Sequence, residues 1–156
     1  MLTIDIPGHG VLELEHLLID VNGTIAVGGV LLPGITDALR ALGDSLSIAA
    51  ATADTHGTAR ALAADAGVSV RIISRGGEGE QKLAILRELD PRCTVAIGNG
   101  ANDVLMLREA AVGIVVIGAE GAARAALDAA DVVVTDVVHA LAMLADPRRL
   151  VATLRS

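Results

Sequence analysis

The chain has 156 residues, a formal net charge of −7 and no Phe, Tyr or Trp, although 53% of its residues are hydrophobic. The acidic charge and the lack of aromatic side chains exclude a nucleic-acid partner from our expectations. No stretch approaches the roughly 20 apolar residues that span a bilayer, so we expect no membrane contact. The single cysteine, Cys93, and a start without a signal-peptide pattern indicate a cytoplasmic protein.

The predicted elements begin with two alternating runs, residues 2–6 and 11–14, which predict a small N-terminal β-hairpin. Apolar runs then predict strands at residues 16–21, 47–51, 70–73, 94–97, 113–117 and 132–134. Apolar spacing of about 3.6 residues predicts helices at residues 36–42, 58–66, 80–89, 103–110 and 122–129, and a last helical stretch from about residue 137 that breaks at Pro147. This order predicts a single α/β domain over residues 1–156, a three-layer, doubly wound parallel sheet.

Polar residues follow the predicted strands, at the edge where doubly wound sheets bind their ligands. They are Asp20-Val21-Asn22-Gly23-Thr24 after the first long strand, Thr52-Ala53-Asp54 after the second, and Gly98-Asn99-Gly100-Ala101-Asn102-Asp103 after the fourth. Lys82, the only lysine among twelve Lys and Arg residues, lies near the start of a helix between them. We expect the fold to bring these four segments together.

These residue types suit phosphoryl transfer, which needs a nucleophile and positive charge against the phosphoryl oxygens. Asp20 is the candidate nucleophile, which we expect to form an aspartyl-phosphate. Asn22 joins it as a candidate catalytic residue. The predicted phosphate site consists of Gly23, Thr52, Ala53 and Lys82, and the predicted Mg²⁺ ligands are the oxygen atoms of Asp20, Asn22, Asn99 and Asp103.

Each of these residues also has an ordinary structural alternative. Asp20 could start a turn, Thr52 could enter a helix, and Asp103 could cap one. Lysines on helices usually lie at the surface. Cys93 is interpreted as a small buried side chain, and the four histidines, which show no metal-ligand spacing, as structural or surface groups.

In this order, the segments at Asp20–Thr24, Thr52, Lys82 and residues 98–103 resemble the four motifs of the haloacid dehalogenase superfamily. The phosphorylation domain of P-type ATPases is the most similar in sequence, and Asp54 is either a counterpart of its second aspartate or an N-cap. The resemblance implies a Rossmannoid fold and a Mg²⁺-dependent hydrolase or phosphotransferase. Its substrate would be a phosphate ester, and the reaction would pass through phosphorylated Asp20.

Two residues depart from the family pattern. Most phosphatases of this superfamily have a general acid and base two residues after the nucleophile, where this chain has Asn22, whose amide transfers no proton. Asn99 stands where the family usually has a metal-binding Asp, so we expect weaker magnesium binding. The resemblance therefore implies slow hydrolysis, and the alternative is a non-catalytic regulatory or partner-binding domain with the same fold. A receiver domain fits poorly because its motifs come in a different order.

Family members often carry a cap domain that selects the substrate. The intervals between Asp20 and Thr52 and between Lys82 and Asn99 leave room for one helix and one strand each, with a short flap at residues 25–33 in the first. We therefore expect no cap and an open site. The resemblance implies a homo-oligomer, a dimer or tetramer, in which neighbouring chains help to close the site.

Overall fold

The computed structural model of the protein describes residues 1–53 and 57–156, apart from the side chain at position 60. Its strands are β1 (Leu2–Ile6), β2 (Gly10–Leu14), β3 (His16–Asp20), β4 (Ala26–Val27), β5 (Val30–Leu31), β6 (Ser47–Thr52), β7 (Ser69–Ile72), β8 (Thr94–Gly98), β9 (Val112–Val116) and β10 (Val132–Val134). Its helices are α1 (Ile35–Leu42), α2 (Gly57–Asp65), α3 (Glu78–Glu88), α4 (Val104–Glu109), α5 (Arg124–Ala129), α6 (Val137–Ala145) and α7 (Pro147–Leu154).

The central sheet has six parallel strands in the order β10-β9-β8-β3-β6-β7. From β3 the chain runs outward through β6 to β7, returns to β8 on the other side of β3, and runs outward again to β10. The direction of winding therefore reverses beside β3, and the crevice at such a reversal is where doubly wound folds bind ligands. The carboxyl ends of β3, β6 and β8 meet at this crevice.

Helices cover both faces of the sheet, which confirms the predicted three layers. Helices α1, α2, α6 and α7 pack on one face, and α3, α4 and α5 pack on the other. Alternation along β3 sends Leu17 and Ile19 to the first face and Leu18 to the second, and all three side chains are fully buried. Because the chain has no aromatic residues, interlocking Ala, Val, Leu and Ile side chains supply this burial.

The predicted strands and helices are all present, with bounds within two residues of those expected. The N-terminal hairpin β1–β2 is antiparallel and inserts Ile4, Ile6 and Leu14 into the core beside α7. Two features were not predicted: the antiparallel pair β4–β5 in the flap, and short 3₁₀ helices at Pro91–Cys93 and Ala101–Asp103. Two-residue strands and single turns are too short to leave a periodic pattern in a sequence.

The two intervals in which a cap domain could be inserted contain only short elements. Residues 21–51, all of them described, hold the β4–β5 hairpin, α1 and most of β6, and residues 83–98 hold the rest of α3, one 3₁₀ turn and β8. The prediction that no cap domain is inserted there is therefore confirmed. Within the described ranges, no helix has the length and apolar character needed to cross a membrane.

Candidate active site

Asp20 lies at the centre of the candidate site, as the last residue of β3. The strand is flanked by β6 and β8, so the Asp20 side chain emerges at the reversal of the winding, and only 6% of the residue is exposed. The structure thus places the predicted nucleophile where the topology predicts a ligand.

Lys82 joins two carboxylates beneath this crevice. It projects from the second turn of α3, is 1% exposed, and its Nζ lies 2.6 Å from Oδ1 of Asp20 and 2.6 Å from Oδ1 of Asp103. The other oxygen of Asp103 accepts hydrogen bonds from the backbone N–H groups of Asn99 and Gly100, both at 2.9 Å. Asp103 therefore fixes the glycine-rich loop and Lys82 together, and two buried carboxylates share one ammonium group.

Burial and the neighbouring charges shift the pKa values of both Lys82 and Asp20. The pKa of Asp20 is raised to about 6, first by burial and then by the charge of Asp103, and Lys82 offsets part of the rise. Burial alone would lower the pKa of the Lys82 ammonium, but the carboxylates of Asp20 and Asp103 outweigh this effect and the net direction is upward. At neutral pH Lys82 is therefore charged and Asp20 is mainly ionised.

The loop after β3 turns sharply at Gly23. Its φ of 82° lies in the left-handed region, and a Cβ at this position would lie 2.8 Å from both Nδ2 of Asn99 and Oε2 of Glu120. The expected sharp turn is therefore present. The N–H of Gly23 donates to the carbonyl of Ala26 at 2.7 Å. That the Gly23 N–H donates a hydrogen bond to phosphate stays a prediction, and it would require the bond to Ala26 to break.

Thr24 is a site residue that the sequence analysis did not single out. Its hydroxyl is buried and lies 3.0 Å from Oδ2 of Asp20 and 3.3 Å from Oδ1 of Asn99. It therefore ties the nucleophile to the glycine-rich loop on the neighbouring strand. The Gly-Thr dipeptide after Asp20 was the available signal, but the sequence does not reveal which atoms the hydroxyl contacts.

Asn22 and Thr52 lie together at the solvent side of the site. Asn22 is exposed and its Nδ2 lies 3.4 Å from Oγ1 of Thr52, the buried last residue of β6. Ala53 follows as an exposed residue. Asp54, for which two roles were left open, lies outside the described residues, as does His56. The predicted catalytic residues of the first, second and third motifs thus lie at the carboxyl ends of β3 and β6, with Lys82 beneath them.

The oxygen donors at the crevice fit a hard divalent cation. Oδ2 of Asp20 and Oδ1 of Asn99 both contact the Thr24 hydroxyl, so a carboxylate and an amide oxygen converge there. Oxygen ligands of this kind suit Mg²⁺. Asp103 is less available, because one of its oxygens contacts Lys82 and the other accepts two backbone N–H groups.

A cavity of about 170 Å³ adjoins the Gly23–Thr24 turn, and the sequence analysis did not foresee it. It lies between the flap and the carboxyl ends of β9 and β10, and is lined by Val27, Leu32, Val116, Gly118, Thr135 and Asp136, among others. The loop at residues 118–121 closes its rim, and the carbonyl of Gly121 accepts a hydrogen bond from Asn99 at 3.3 Å. Space for a small group therefore exists beside the turn that follows the predicted nucleophile.

The fold and the site together define an α/β domain with an aspartate at the end of a central strand, a buried lysine and an acidic-amide loop at one sheet edge. A family model described as haloacid dehalogenase-like hydrolase matches residues 3–111. The chain therefore belongs to the haloacid dehalogenase-like hydrolase family.

Two curated relatives come from Methanocaldococcus jannaschii. An uncharacterised protein is 45% identical over 84 residues, 51% of this chain and 90% of that protein. A soluble P-type ATPase-like phosphatase is 30% identical over 116 residues, 72% of this chain, and the match spans 42% of that protein's length. The second relative agrees with the resemblance to P-type ATPases.

Among solved structures, a 3-deoxy-D-manno-octulosonate 8-phosphate phosphatase from Moraxella catarrhalis has the same fold. Its TM-score is 0.67 at 18% identity, covering 91% of this chain and 94% of that one. That structure holds a magnesium ion, a phosphate ion and the sugar acid. At this identity the likeness concerns the fold.

Proposed function

We propose that this chain is a phosphatase or phosphotransferase that passes a phosphoryl group through Asp20. The observation that carries the proposal is the contact between Asp20 and the buried Lys82, held in place by Asp103 at the crevice of the sheet. The relative described as a soluble P-type ATPase-like phosphatase supports the same class of reaction.

In this mechanism the Asp20 carboxylate attacks the phosphorus atom of a phosphate ester, and the ester oxygen leaves. An acyl phosphate forms on Asp20, and water then attacks its phosphorus and regenerates the carboxylate. Lys82 places positive charge against the transferred oxygens, and the hydroxyl of Thr52 and the N–H of Ala53 bind the same group. Thr24 holds Asp20 in line through the hydrogen bond at 3.0 Å.

Asp20, the backbone carbonyl of Asn22, Asn99 and Asp103 are the proposed residues that hold Mg²⁺. The ion supplies positive charge against the phosphoryl oxygens when bound. Because the oxygens of Asp103 are engaged by Lys82 and two amides, we assign this residue mainly to positioning Lys82 and the loop. Because Asn99 offers an amide oxygen where the family usually has a carboxylate, we expect the site to bind Mg²⁺ weakly.

Asn22 limits the rate in this proposal. Its amide can donate a hydrogen bond to the leaving oxygen but supplies no proton, and the loss of general acid–base help costs about 10²- to 10⁴-fold in rate. The water attack on phosphorylated Asp20 lacks a general base as well. The phosphorylated enzyme should therefore accumulate during turnover.

A regulatory or partner-binding domain is the second candidate, favoured by the two amides at Asn22 and Asn99. Such a domain would keep the buried Lys82 network, since Asp103 in that network also fixes the glycine-rich loop, but would release no phosphate. Stable phosphorylation of Asp20 without turnover would favour this candidate.

The open site has consequences for the substrate and for assembly. Without an inserted cap, the crevice admits a phosphate ester on a large molecule, or a neighbouring chain covers it. The flap exposes 69% of Val30 at its tip, a surface that suits contact with a second copy. We propose a homo-oligomer, a dimer or tetramer, in the cytoplasm, and a monomeric mass in light scattering at micromolar concentration would contradict it.

The direct test is phosphate release from a generic aryl phosphate with Mg²⁺, measured for the unaltered chain, for Asp20→Asn and for Asp44→Asn. Asp44 is an exposed aspartate and serves as the matched control. We expect release that disappears with Asp20→Asn or with a chelator and is unchanged by Asp44→Asn. Release that survives Asp20→Asn would contradict the proposal.

A further inference from the structure

A second cluster of chemically reactive side chains lies at the opposite end of the sheet. Ligand atoms of Glu15, His16 and Cys93 lie within 4.8 Å of one another. His16 opens β3 and Asp20 ends it, so the cluster is about 13 Å from the active site at the usual rise per strand residue. The phosphoryl-transfer mechanism uses none of these three residues.

Backbone pairing fixes the positions of the three residues. The N–H of Glu15 donates to the carbonyl of Cys93 at 2.8 Å, and the N–H of Ser47 donates to the carbonyl of Glu15 at 2.8 Å. In the parallel register of β3 and β8, His16 pairs with Thr94, the residue after Cys93. The cluster therefore lies at the amino ends of the two central strands of the sheet, where these backbone pairings hold it in place.

His16 carries an unsatisfied polar atom. Its Nδ1 is buried and has no hydrogen-bond partner among the described residues. A buried ring nitrogen without a partner is unfavourable, so such an atom calls for an explanation. Histidine nitrogens are among the commonest ligands of transition metals.

The surrounding cleft has space and negative charge. It has a volume of about 500 Å³ and is lined by Glu13, Glu15, His16, Asp90, Arg92 and Cys93, among others. Arg92 is already paired with Asp90 at 2.7 Å, and neither Glu15 nor Glu13 forms an ion pair within the described part of the chain. Burial, and then the charges of Asp90 and Glu15, raise the pKa of the Cys93 thiol, and a divalent cation would reverse that effect.

We propose that Glu15, His16 and Cys93 form a second metal site, for a divalent cation of the zinc class, at the amino ends of the central strands. A thiolate, an imidazole and a carboxylate form a mixed set that suits Zn²⁺, Co²⁺ or Ni²⁺ rather than Mg²⁺. Tetrahedral bonds of about 2.0–2.3 Å place ligand atoms about 3.3–3.8 Å apart, so the side chains close by about 1 Å on binding. A water molecule or the Glu13 carboxylate supplies the fourth metal ligand.

The competing interpretation is a structural thiol. Sγ of Cys93 donates to the carbonyl oxygens of Leu89 at 3.6 Å and Asp90 at 3.5 Å, which are long, weak hydrogen bonds. Binding a metal releases the thiol proton and gives up these contacts. Because the contacts are weak, the exchange costs little.

Cobalt is the probe of choice, because thiolate-to-Co²⁺ charge transfer gives an absorption band that oxygen ligands at the active site cannot produce. Cys93 is the only cysteine in the chain, so the band reports on this site alone. The full chain, stripped of metal with a chelator and desalted, is titrated with CoCl₂ under reducing conditions. The same titration is run on Cys93→Ser, His16→Gln, Glu15→Gln and, as a control for an exposed histidine, His139→Gln.

The proposal predicts a saturable band with one Co²⁺ per chain, absent in Cys93→Ser and unchanged in His139→Gln. His16→Gln and Glu15→Gln should each weaken binding roughly tenfold or more. Zn²⁺ should displace Co²⁺ and raise the melting temperature of the unaltered chain more than that of Cys93→Ser. No band at saturating Co²⁺ overturns the proposal. So does a band that is insensitive to both His16→Gln and Glu15→Gln, or one that saturates at half a Co²⁺ per chain, since the thiol then binds alone or between two chains.

Discussion

Lys82 and Asp103 form a fully buried ion pair, with Nζ and Oδ1 2.6 Å apart and exposures of 1% and 0%. The same ammonium also contacts Asp20, so one cation is shared by the carboxylate that fixes the loop and the carboxylate of the proposed nucleophile. This arrangement leaves the buried cluster with an excess negative charge. Stability and the proposed chemistry are therefore linked through the same three side chains.

Asp20→Asn should stabilise the metal-free protein at neutral pH, because it removes one of the two carboxylates that share Lys82. The pKa of Asp20 is about 6 when folded against an ordinary 3.8, so the folded state binds the proton more tightly. Stability of the unaltered chain should therefore fall as pH rises from about 4 to about 6, by on the order of 1–3 kcal/mol. Urea unfolding across this range, with chelator present, measures the difference between the two proteins. A difference independent of pH, or one reproduced by Asp44→Asn, would contradict the argument.

Lys82→Met should strongly destabilise the fold. It leaves Asp20 and Asp103 buried without a cation, and breaking one side of a buried ion pair costs roughly 3–5 kcal/mol. Adding Asp103→Asn should restore part of the lost stability, since only one buried carboxylate then remains. Urea unfolding of the single and double variants tests this, with Arg87→Met as an exposed control that changes little. Equal losses for Lys82→Met and Arg87→Met would refute the role given to the buried pair.

A comparison of Gly23→Ala with Gly28→Ala should separate the cost of alanine at a positive φ from the effect of the added methyl group on the site. Gly23 and Gly28 both have positive φ, so alanine costs each roughly 1–2 kcal/mol. Only at Gly23 does the added methyl group meet Asn99 and Glu120, and nothing lies within 4 Å at Gly28. We expect Gly23→Ala to lower turnover at least tenfold by displacing Asn99, with Gly28→Ala close to the unaltered rate. Equal rates for the two variants, measured as phosphate release, would argue against a functional role of this turn.

Asn22→Asp should raise the rate of phosphate release by about 10²- to 10⁴-fold, because it adds the missing general acid and base. Asn22 is exposed at the mouth of the crevice, so the new carboxyl group reaches both solvent and substrate. Asn102→Asp adds the same charge at another exposed position in the site loop and should leave the rate nearly unchanged. A similar gain from both variants would mean that charge, and not proton transfer, is responsible.

Much of this molecule could be predicted from its sequence because buried parallel strands leave continuous apolar runs. The runs at β3 and β8 placed Asp20 and the glycine-rich loop at one edge of the sheet, and the single lysine marked Lys82. What the sequence did not reveal depends on side-chain contacts between distant segments. Examples are the Thr24 hydroxyl between Asp20 and Asn99, and the engagement of both Asp103 oxygens.

The cluster at the other end of the sheet was missed for the same reason. No spacing rule relates His16 to Cys93, which lies far along the chain, and the four histidines showed no ligand pattern. Only the parallel register of β3 with β8 brings the two side chains together. The flap strands β4 and β5 were missed because a strand of two residues is too short to show an alternating pattern in the sequence.

The most direct test of the account is to trap the phosphorylated enzyme. The chain is mixed with Mg²⁺ and an aryl phosphate, quenched in acid during turnover, digested and analysed by mass spectrometry. We predict one phosphoryl group on the peptide that contains Asp20, at Asp20 itself, more abundant in the unaltered chain than in Asn22→Asp and absent from Asp20→Asn. Phosphate release without any label on Asp20, or a label that persists in Asp20→Asn, would contradict the central claim.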